Sequence, residues 1–224
     1  PDMSALHGLF GDGKAAIVGN VGPLVQPTTR GSLLNGSAAL PKRLFSHNDQ
    51  QSTWMSFAPE GAQLGWGGRF GDAAANAGAN INKSFSQVSL AGNNVFLSGE
   101  QVGSYQIGVD GVQSIYLLDG AGNGIPVALN PILREHFAVA GTNRSNLFER
   151  DFVTLSQESF AANDLLDAAL RSAPEFATAF PGSPLGGQLR AAARTIAVRE
   201  ELGASRQVFF IGMGGFDTHS AQAT

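Results

Sequence analysis

Cysteine is absent from the sequence, and charge is scarce. Without cysteine, the 224 residues cannot form disulfides, thiolate metal sites or a cysteine nucleophile. Charged side chains make up 14% of the residues, whereas an average soluble domain carries about 25%. Hydrophobic residues account for an ordinary 43%, so glycine and small polar residues take the place of the missing charge. This composition favours a folded domain, because disordered chains are rich in charge and poor in apolar residues.

A strong excess of either sign of charge is also missing. The chain has 14 Lys and Arg against 18 Asp and Glu and shows no broad basic field, so nucleic-acid binding is not expected. Apolar runs extend over a few residues only, so we expect no transmembrane segment. The length is sufficient for one domain with a sizeable core, and no pattern indicates an oligomeric state.

The two ends of the sequence predict an incomplete domain. The sequence begins with Pro1 rather than Met, without a charged-then-apolar leader, and it stops at Thr224 shortly after a glycine-rich motif. We therefore expect residues 1–224 to form one α/β domain that lacks a part at each end.

Short β-prone runs cluster in residues 85–130 of a chain that is otherwise largely helical in pattern. Turn signals such as Asp110-Gly111 and Asp119-Gly120 separate the runs, and such turns commonly join antiparallel strands. This pattern predicts a small antiparallel β insertion that forms a cap subdomain. A separate apolar run, Ala15–Val18, predicts a buried strand.

The clearest α/β signal lies near the end of the chain. An amphipathic helix is predicted over Gly187–Leu202, with Gly203 at its C-terminal end. Gln207–Ile211 then has the apolar pattern of a parallel strand covered on both faces. A glycine-rich turn follows and leads to Asp217 and His219. Polar residues just past a buried strand occupy the usual active-site position of open α/β sheets.

Asp217 and His219 have two interpretations. A carboxylate and an imidazole two positions apart lie on the same side of an extended segment, and they are suited to bind a metal or to act as a base and its orienting group. Alternatively, Asp217 or Thr218 caps the next helix and His219 is a surface residue. Because cysteine is absent, a divalent metal such as zinc would depend on oxygen and imidazole ligands.

Ser46 and the residues after it form a second candidate site. Ser46-His47-Asn48-Asp49 has the pattern of a helix N-terminus with a capping box. A hydroxyl at the positive end of a helix dipole can also stabilise an anion or act as a nucleophile. His47 is not assumed to be the base for Ser46, because adjacent side chains on a helix diverge.

Trp66 and Arg69 belong to a glycine-rich motif, Leu64–Arg69. They either line a pocket and bind an oxyanion, or serve as a packing anchor and a solvated cation. Together with His47 and Asp49, they complete the set of candidate substrate-pocket residues.

The motifs, in their order along the whole chain, resemble those of a bacterial family of exported proteins called domain of unknown function 1501. The most specific match is Gly-Gly-Phe-Asp-Thr-His, at residues 214–219. The matching segments are Leu6-His7, Lys14–Val18, Asn20–Gly22, Ser46–Gln50, Gly65–Arg69, Gln188–Leu202, Ser205–Phe210 and Gly214–Gln222.

The resemblance implies an alkaline phosphatase-like fold, with a mostly parallel sheet, flanking helices and metals at the C-terminal ends of strands. It implies that Ser46 is the nucleophile, that Asp217 and His219 are metal ligands, and that the protein is exported to the periplasm or cell surface, often by a twin-arginine signal. The family's early Gly-Gly-Asn-Asp-like motif and late Asp-His-Gly-like motif do not occur here. The resemblance therefore implies an incomplete ligand set in this chain.

Two functions from different classes follow. The leading hypothesis is an exported metal-dependent hydrolase-like protein that acts on a small phosphate or sulfate ester, with residues 85–130 as its cap. The second is a non-catalytic envelope or assembly protein that retains the fold and binds an envelope polymer or partner through its low-charge surface.

Overall fold

A computed structural model describes residues 3–19, 21–112, 129–139, 146–216 and 220. Helices and a small sheet make up these ranges, which places the chain in the mixed α/β class. No helix within them is long and apolar enough to cross a membrane. The helices are α1 (Ser4–Gly11), α2 (Arg30–Leu34), α3 (His47–Ser56), α4 (Trp66–Asn76), α5 (Leu129–Val139), α6 (Leu147–Arg171) and α7 (Pro184–Ala197), and the strands are β1 (Gln87–Ser89), β2 (Tyr105–Gln106) and β3 (Val208–Phe210).

The chain divides into two compact units, Pro1–Ala62 and Gln63–Thr224. The first unit contains α1, α2 and α3. The N-terminus of α2 is closed by a capping box, in which the Thr29 side chain accepts from the Ser32 N–H and the Ser32 side chain accepts from the Thr29 N–H.

The strand predicted at Ala15–Val18 is wrong. Residues 15–19 belong to no helix or strand of the described structure, and the side chains of Ile17 and Val18 are 82% and 78% exposed. An apolar run can form a buried strand only where another strand pairs with it and other elements cover it, and the run itself does not determine either.

The second unit contains a three-stranded parallel sheet in the order β2-β1-β3. Val88 of the central strand β1 is in register with Tyr105 of β2 and with Phe209 of β3. The parallel strand predicted over Gln207–Ile211 is therefore confirmed as β3, although its residues are only half-buried.

The antiparallel insertion predicted at 85–130 is not what the described part of that range forms. Strands β1 and β2 are parallel neighbours, and Val95–Leu97 is a 3₁₀ turn capped by the Asn94 side chain rather than a strand. Residues 90–104 separate the two strands, and a connection of about a dozen residues or more is what parallel neighbours require. Turn residues indicate where the chain changes direction, but they do not determine which strands pair with each other. Residues 113–128 of the predicted insertion lie outside the described residues.

The core of the second unit lies between the sheet and helices α6 and α7. Tyr105 of β2 is tied to α6 by a hydrogen bond to Asn163, and burial raises the pKa of Tyr105 to about 12, so this hydroxyl stays a donor. The buried cluster consists of Phe85, Val88, Ile107, Ala162, Leu166, Ala169, Leu170, Ala191, Val198, Leu202 and Ala204.

Helix α6 ends at Arg171, and Pro174, shortly after it, disfavours helical backbone in the residue before it. The C-terminal end of α7 differs from the predicted end at Leu202. Helix α7 ends at Ala197, and turns lead to Gly203, which has a φ of +65°. Glycine adopts this left-handed conformation without the steric cost of a Cβ atom.

Candidate functional site

Ser46 lies at the N-terminus of α3. Its backbone is extended, with φ −91° and ψ 123°, and its Oγ accepts a hydrogen bond from the Asp49 N–H at 3.4 Å. The predicted N-cap is therefore confirmed. The predicted capping box is not formed, because the Ser46 N–H donates to the Arg43 carbonyl oxygen instead of to the Asp49 side chain. The hydroxyl is half-buried and lies at the positive end of the helix dipole, where a negative charge is stabilised.

Asp49 is buried, with 2% of its surface exposed. Its Oδ1 accepts from the Glu60 N–H at 2.9 Å and from the Arg43 guanidinium at 3.3 Å. The pKa of Asp49 lies below its ordinary value, first because of the hydrogen bond with the Ser46 side chain. Burial acts in the opposite direction, and the Glu60 N–H and the Arg43 charge lower the pKa further. Asp49 is thus a carboxylate that joins both ends of the Arg43–Glu60 segment.

Arg43 has a left-handed backbone with φ +53°, which is uncommon for a residue with a side chain. Its carbonyl oxygen accepts from the Ser46 N–H at 2.9 Å and from Gln50 Nε2 at 3.3 Å. These bonds and the ion pair with Asp49 hold the strained residue beside the start of α3. Arg43 therefore places an exposed cation in the loop that precedes Ser46. His47 is exposed on the first turn of α3.

Trp66 and Arg69 lie on α4 in the second unit, where the glycines of their motif are packing positions. A Cβ atom on Gly68 would lie 1.9 Å from the Ser98 carbonyl oxygen, and one on Gly67 would lie 2.5 Å from the Phe96 ring. Trp66 packs edge-on against Phe96, with 4.4 Å between ring centroids, whereas Arg69 is exposed. The motif thus brings α4 into direct contact with residues 95–98.

The loop after β3 is fixed by a residue that sequence reasoning missed. Gln188 Nε2 donates to the Gly212 carbonyl oxygen, and Gln188 Oε1 accepts from the Gly212 N–H, both at 2.9 Å. The path from β3 towards Asp217 and His219 is therefore anchored at its start by α7. Asp217 and His219 themselves lie outside the described residues.

Asn80 is a second missed residue. Its Oδ1 accepts from the N–H groups of Ser205 and Arg206, both at 2.8 Å. Its Nδ2 donates to Ser86 Oγ and to the Arg206 carbonyl oxygen, both at 2.7 Å. All four bonds are satisfied on a buried side chain that joins the start of β1 to the segment before β3. A lone asparagine gives no sequence signal for such a role, because Ser205 and Arg206, which make three of the four bonds, are more than a hundred residues away.

Gln87 places a buried amide at the centre of the sheet. Its Nε2 donates to the carbonyl oxygens of Gly67 and Gly68 at 3.3 and 3.4 Å. Its Oε1 has no hydrogen-bond partner among the described residues. The side chain fills the space left by Gly71, where a Cβ atom would lie 1.6 Å from Gln87 Nε2.

A complete metal centre is not formed by the residues that the structure describes. Within these ranges, no three His, Asp or Glu side chains come close enough together to hold a metal ion. The carboxylate of Asp217 and the imidazole of His219 are groups that bind zinc. Both residues lie outside the described ranges, and two ligands are fewer than a zinc site needs. No reaction step is therefore assigned to a metal.

Comparison with known proteins finds no family model, no curated protein and no solved structure that matches the chain. The fold therefore defines a broad class only, that of mixed α/β proteins with a parallel sheet.

Proposed function

We propose that this chain belongs to an exported, hydrolase-like protein of the phosphatase and sulfatase type, in which Ser46 attacks a small phosphate or sulfate ester. The observation that carries the proposal is the placement of the Ser46 hydroxyl at the N-terminus of α3, half-buried and 3.4 Å from the Asp49 N–H. The positive end of a helix stabilises both an alkoxide and an anionic ester.

Arg43 adds a second feature that suits an oxyanion. It sits in the loop before Ser46 and is largely exposed while one of its nitrogens contacts Asp49. A guanidinium with free N–H groups can bind the non-bridging oxygens of a phosphate or sulfate. The Asp49 carboxylate is buried and accepts from the Glu60 N–H and the Arg43 guanidinium, and it fixes this geometry rather than reacting.

The proposed reaction has two displacement steps. Ser46 Oγ forms a bond to phosphorus or sulfur and loses its proton, and the bond to the leaving oxygen breaks, so that the alcohol departs with the electron pair and takes up a proton in place of the one lost by Ser46. Water then attacks phosphorus or sulfur and the bond to Ser46 Oγ breaks. This step releases phosphate or sulfate and returns a proton to Ser46 Oγ. Asp217 and His219 as ligands of a divalent metal, and the periplasm or cell surface as location, belong to the same proposal and rest on the family resemblance.

The experiment separates the nucleophile from the helix cap. Turnover of an aryl phosphate and an aryl sulfate is measured for the whole protein with Ser46→Ala and Ser46→Asn, since asparagine caps helices about as well as serine but carries no hydroxyl. Ser183→Ala is the matched control, because it removes the N-cap of α7, which accepts from the Gly186 N–H at 3.1 Å. We expect Ser46→Asn to fold normally and to lose turnover. Undiminished turnover in Ser46→Asn would overturn the proposal.

An exposed apolar segment favours a second candidate function, a non-catalytic envelope or assembly protein. The segment follows α1 in the first unit, and each of its large apolar side chains is more than half exposed. Exposed apolar patches of this kind often mark interaction surfaces. Its members are Ile17, Val18, Val21, Leu24 and Val25.

Cell fractionation tests this second candidate. If the segment binds an envelope partner, the double variant Ile17→Asp and Val18→Asp should move the protein from the envelope fraction to the soluble fraction. Leu34→Asp, at an exposed leucine on α2, is the control and should leave the distribution unchanged. An unchanged distribution in the double variant argues against the second function.

A further inference from the structure

A cavity of about 670 Å³ opens in the second unit beside the end of α6. Its walls come from the last turn of α6, the loop 172–183 and one face of α7. A volume between roughly 300 and 1,000 Å³ is typical of sites for small organic molecules.

Two arginines on α7 line the cavity, and neither forms an ion pair with an acidic side chain among the described residues. Arg190 and Arg194 both line it, and a spacing of four residues places them on the same face of the helix. The α7 sequence contains no Asp or Glu, and like charges at this spacing destabilise a helix slightly. Arg190 has no hydrogen-bond or ion-pair partner among the described residues. Arg194 donates to the Leu170 carbonyl oxygen at 3.1 Å and has no ion pair with a carboxylate among the described residues.

The remaining charged groups of the cavity leave it positive. Arg171 also lines the cavity, but its guanidinium is already paired with Asp167 one turn earlier on α6. Glu175 is the acidic residue in the lining. Arg190 and Arg194 have no acidic partner among the described residues, and Glu175 is the single carboxylate in the lining, so the cavity favours an anionic ligand. Guanidinium groups that line one cavity are well suited to the oxygens of a phosphate-like group.

Two aromatic side chains also line this cavity. Phe176 and Phe180 line it from the loop and pack edge-to-face, with 6.0 Å between ring centroids. Phe176 keeps 39% of its surface exposed, which leaves ring area available for contact. Exposed aromatic rings gain free energy by packing against another flat ring.

We propose that this cavity binds a small aromatic molecule with a phosphate- or phosphonate-like anion. The anionic group would contact Arg190 and Arg194, while the ring packs against Phe176 and Phe180. The cavity is built from residues of the second unit alone, so this inference does not depend on Ser46 chemistry.

The test uses phenylphosphonate, which carries both features and resists hydrolysis. Its Kd for the whole protein is measured by titration calorimetry, with inorganic phosphate as the anion alone and benzyl alcohol as the ring alone. We expect phenylphosphonate to bind more tightly than either fragment. Equal binding of phenylphosphonate and inorganic phosphate would reject the aromatic part of the proposal.

Variants locate the binding in the cavity. Because Arg190→Gln replaces a charged hydrogen-bond donor with a neutral one, it should weaken phenylphosphonate binding by about tenfold or more. Phe176→Leu should weaken phenylphosphonate but leave inorganic phosphate unchanged. Arg150→Gln, at an exposed position near the start of α6, makes the same charge change away from the cavity and is the control. An equal loss in Arg150→Gln and Arg190→Gln, or no loss in Arg190→Gln, overturns the proposal.

Discussion

Gln188 holds Gly212 by both atoms of its side-chain amide, with one N–H···O bond in each direction at 2.9 Å. The pair connects the first turns of α7 to the backbone that leaves β3. Gly212 thereby obtains, from a side chain, the two hydrogen bonds that a neighbouring strand would otherwise supply. The start of the glycine-rich loop is consequently held in one conformation.

Replacing Gln188 should loosen this loop. Gln188→Ala removes two hydrogen bonds, so the free energy of unfolding should fall by about 1–3 kcal/mol, and the Gly212 amide should exchange faster with solvent. Urea unfolding and amide hydrogen exchange measure the two effects. Gln63→Ala, at an exposed glutamine outside the helices and strands, is the control. Equal stability of the two variants would show that the Gln188–Gly212 bonds contribute nothing.

Adding one methyl group at Gly68 should destabilise the second unit. Alanine favours a helix over glycine by up to about 1 kcal/mol, but the new Cβ atom would lie 1.9 Å from the Ser98 carbonyl oxygen, which belongs to the backbone and cannot simply rotate away. Because overpacking costs about 1–3 kcal/mol or more, we expect a net loss for Gly68→Ala in denaturant unfolding. Gly103→Ala has open space around it and should be tolerated. A Gly68→Ala protein as stable as wild type would contradict the close contact between α4 and residues 95–98.

The pH dependence of stability should carry a contribution from Asp49. Its pKa is lower in the folded protein than the ordinary value of 3.8, chiefly because of the Ser46 hydrogen bond. A depressed folded-state pKa stabilises the protein above the unfolded-state pKa, and this contribution disappears as the pH falls through the folded-state pKa. The contribution is therefore complete at neutral pH and declines as the pH falls below about 5.

Asp49→Asn should remove this pH dependence because the amide does not titrate in that range. We expect the difference in unfolding free energy between wild type and Asp49→Asn to shrink as the pH is lowered from 5 to 2. Asp12→Asn, at an exposed aspartate of the same unit, is the control. A difference that stays constant with pH would mean that the folded-state pKa of Asp49 is not depressed.

Local sequence signals predicted the elements that depend on neighbouring residues. Ser46 caps α3 as expected, because a cap needs only a hydroxyl and an N–H three residues later. The apolar run around Phe209 forms a parallel strand. The turn at Gly203 also follows from a local requirement, the left-handed φ of +65° that glycine adopts freely.

Predictions that needed a distant partner were less successful. The run Ala15–Val18 has the composition of a strand but lies exposed, and the strands β1 and β2 pair in parallel rather than antiparallel. Asn80 and Gln188, whose amides join segments far apart in the chain, gave no signal at all. Composition and periodicity describe what a segment is suited to, whereas pairing depends on which other segment reaches it.

The sequence by itself determined the mixed α/β class, the helix N-terminus at Ser46 and the absence of cysteine chemistry, because each depends on residue type and short spacing. The tertiary structure alone decided the strand order β2-β1-β3, the close approach of α4 at Gly68, and the cavity that joins Arg190 to Phe176. These features arise where residues distant in sequence compete for the same buried space. Their free energy comes from packing and satisfied hydrogen bonds, which no single segment contains.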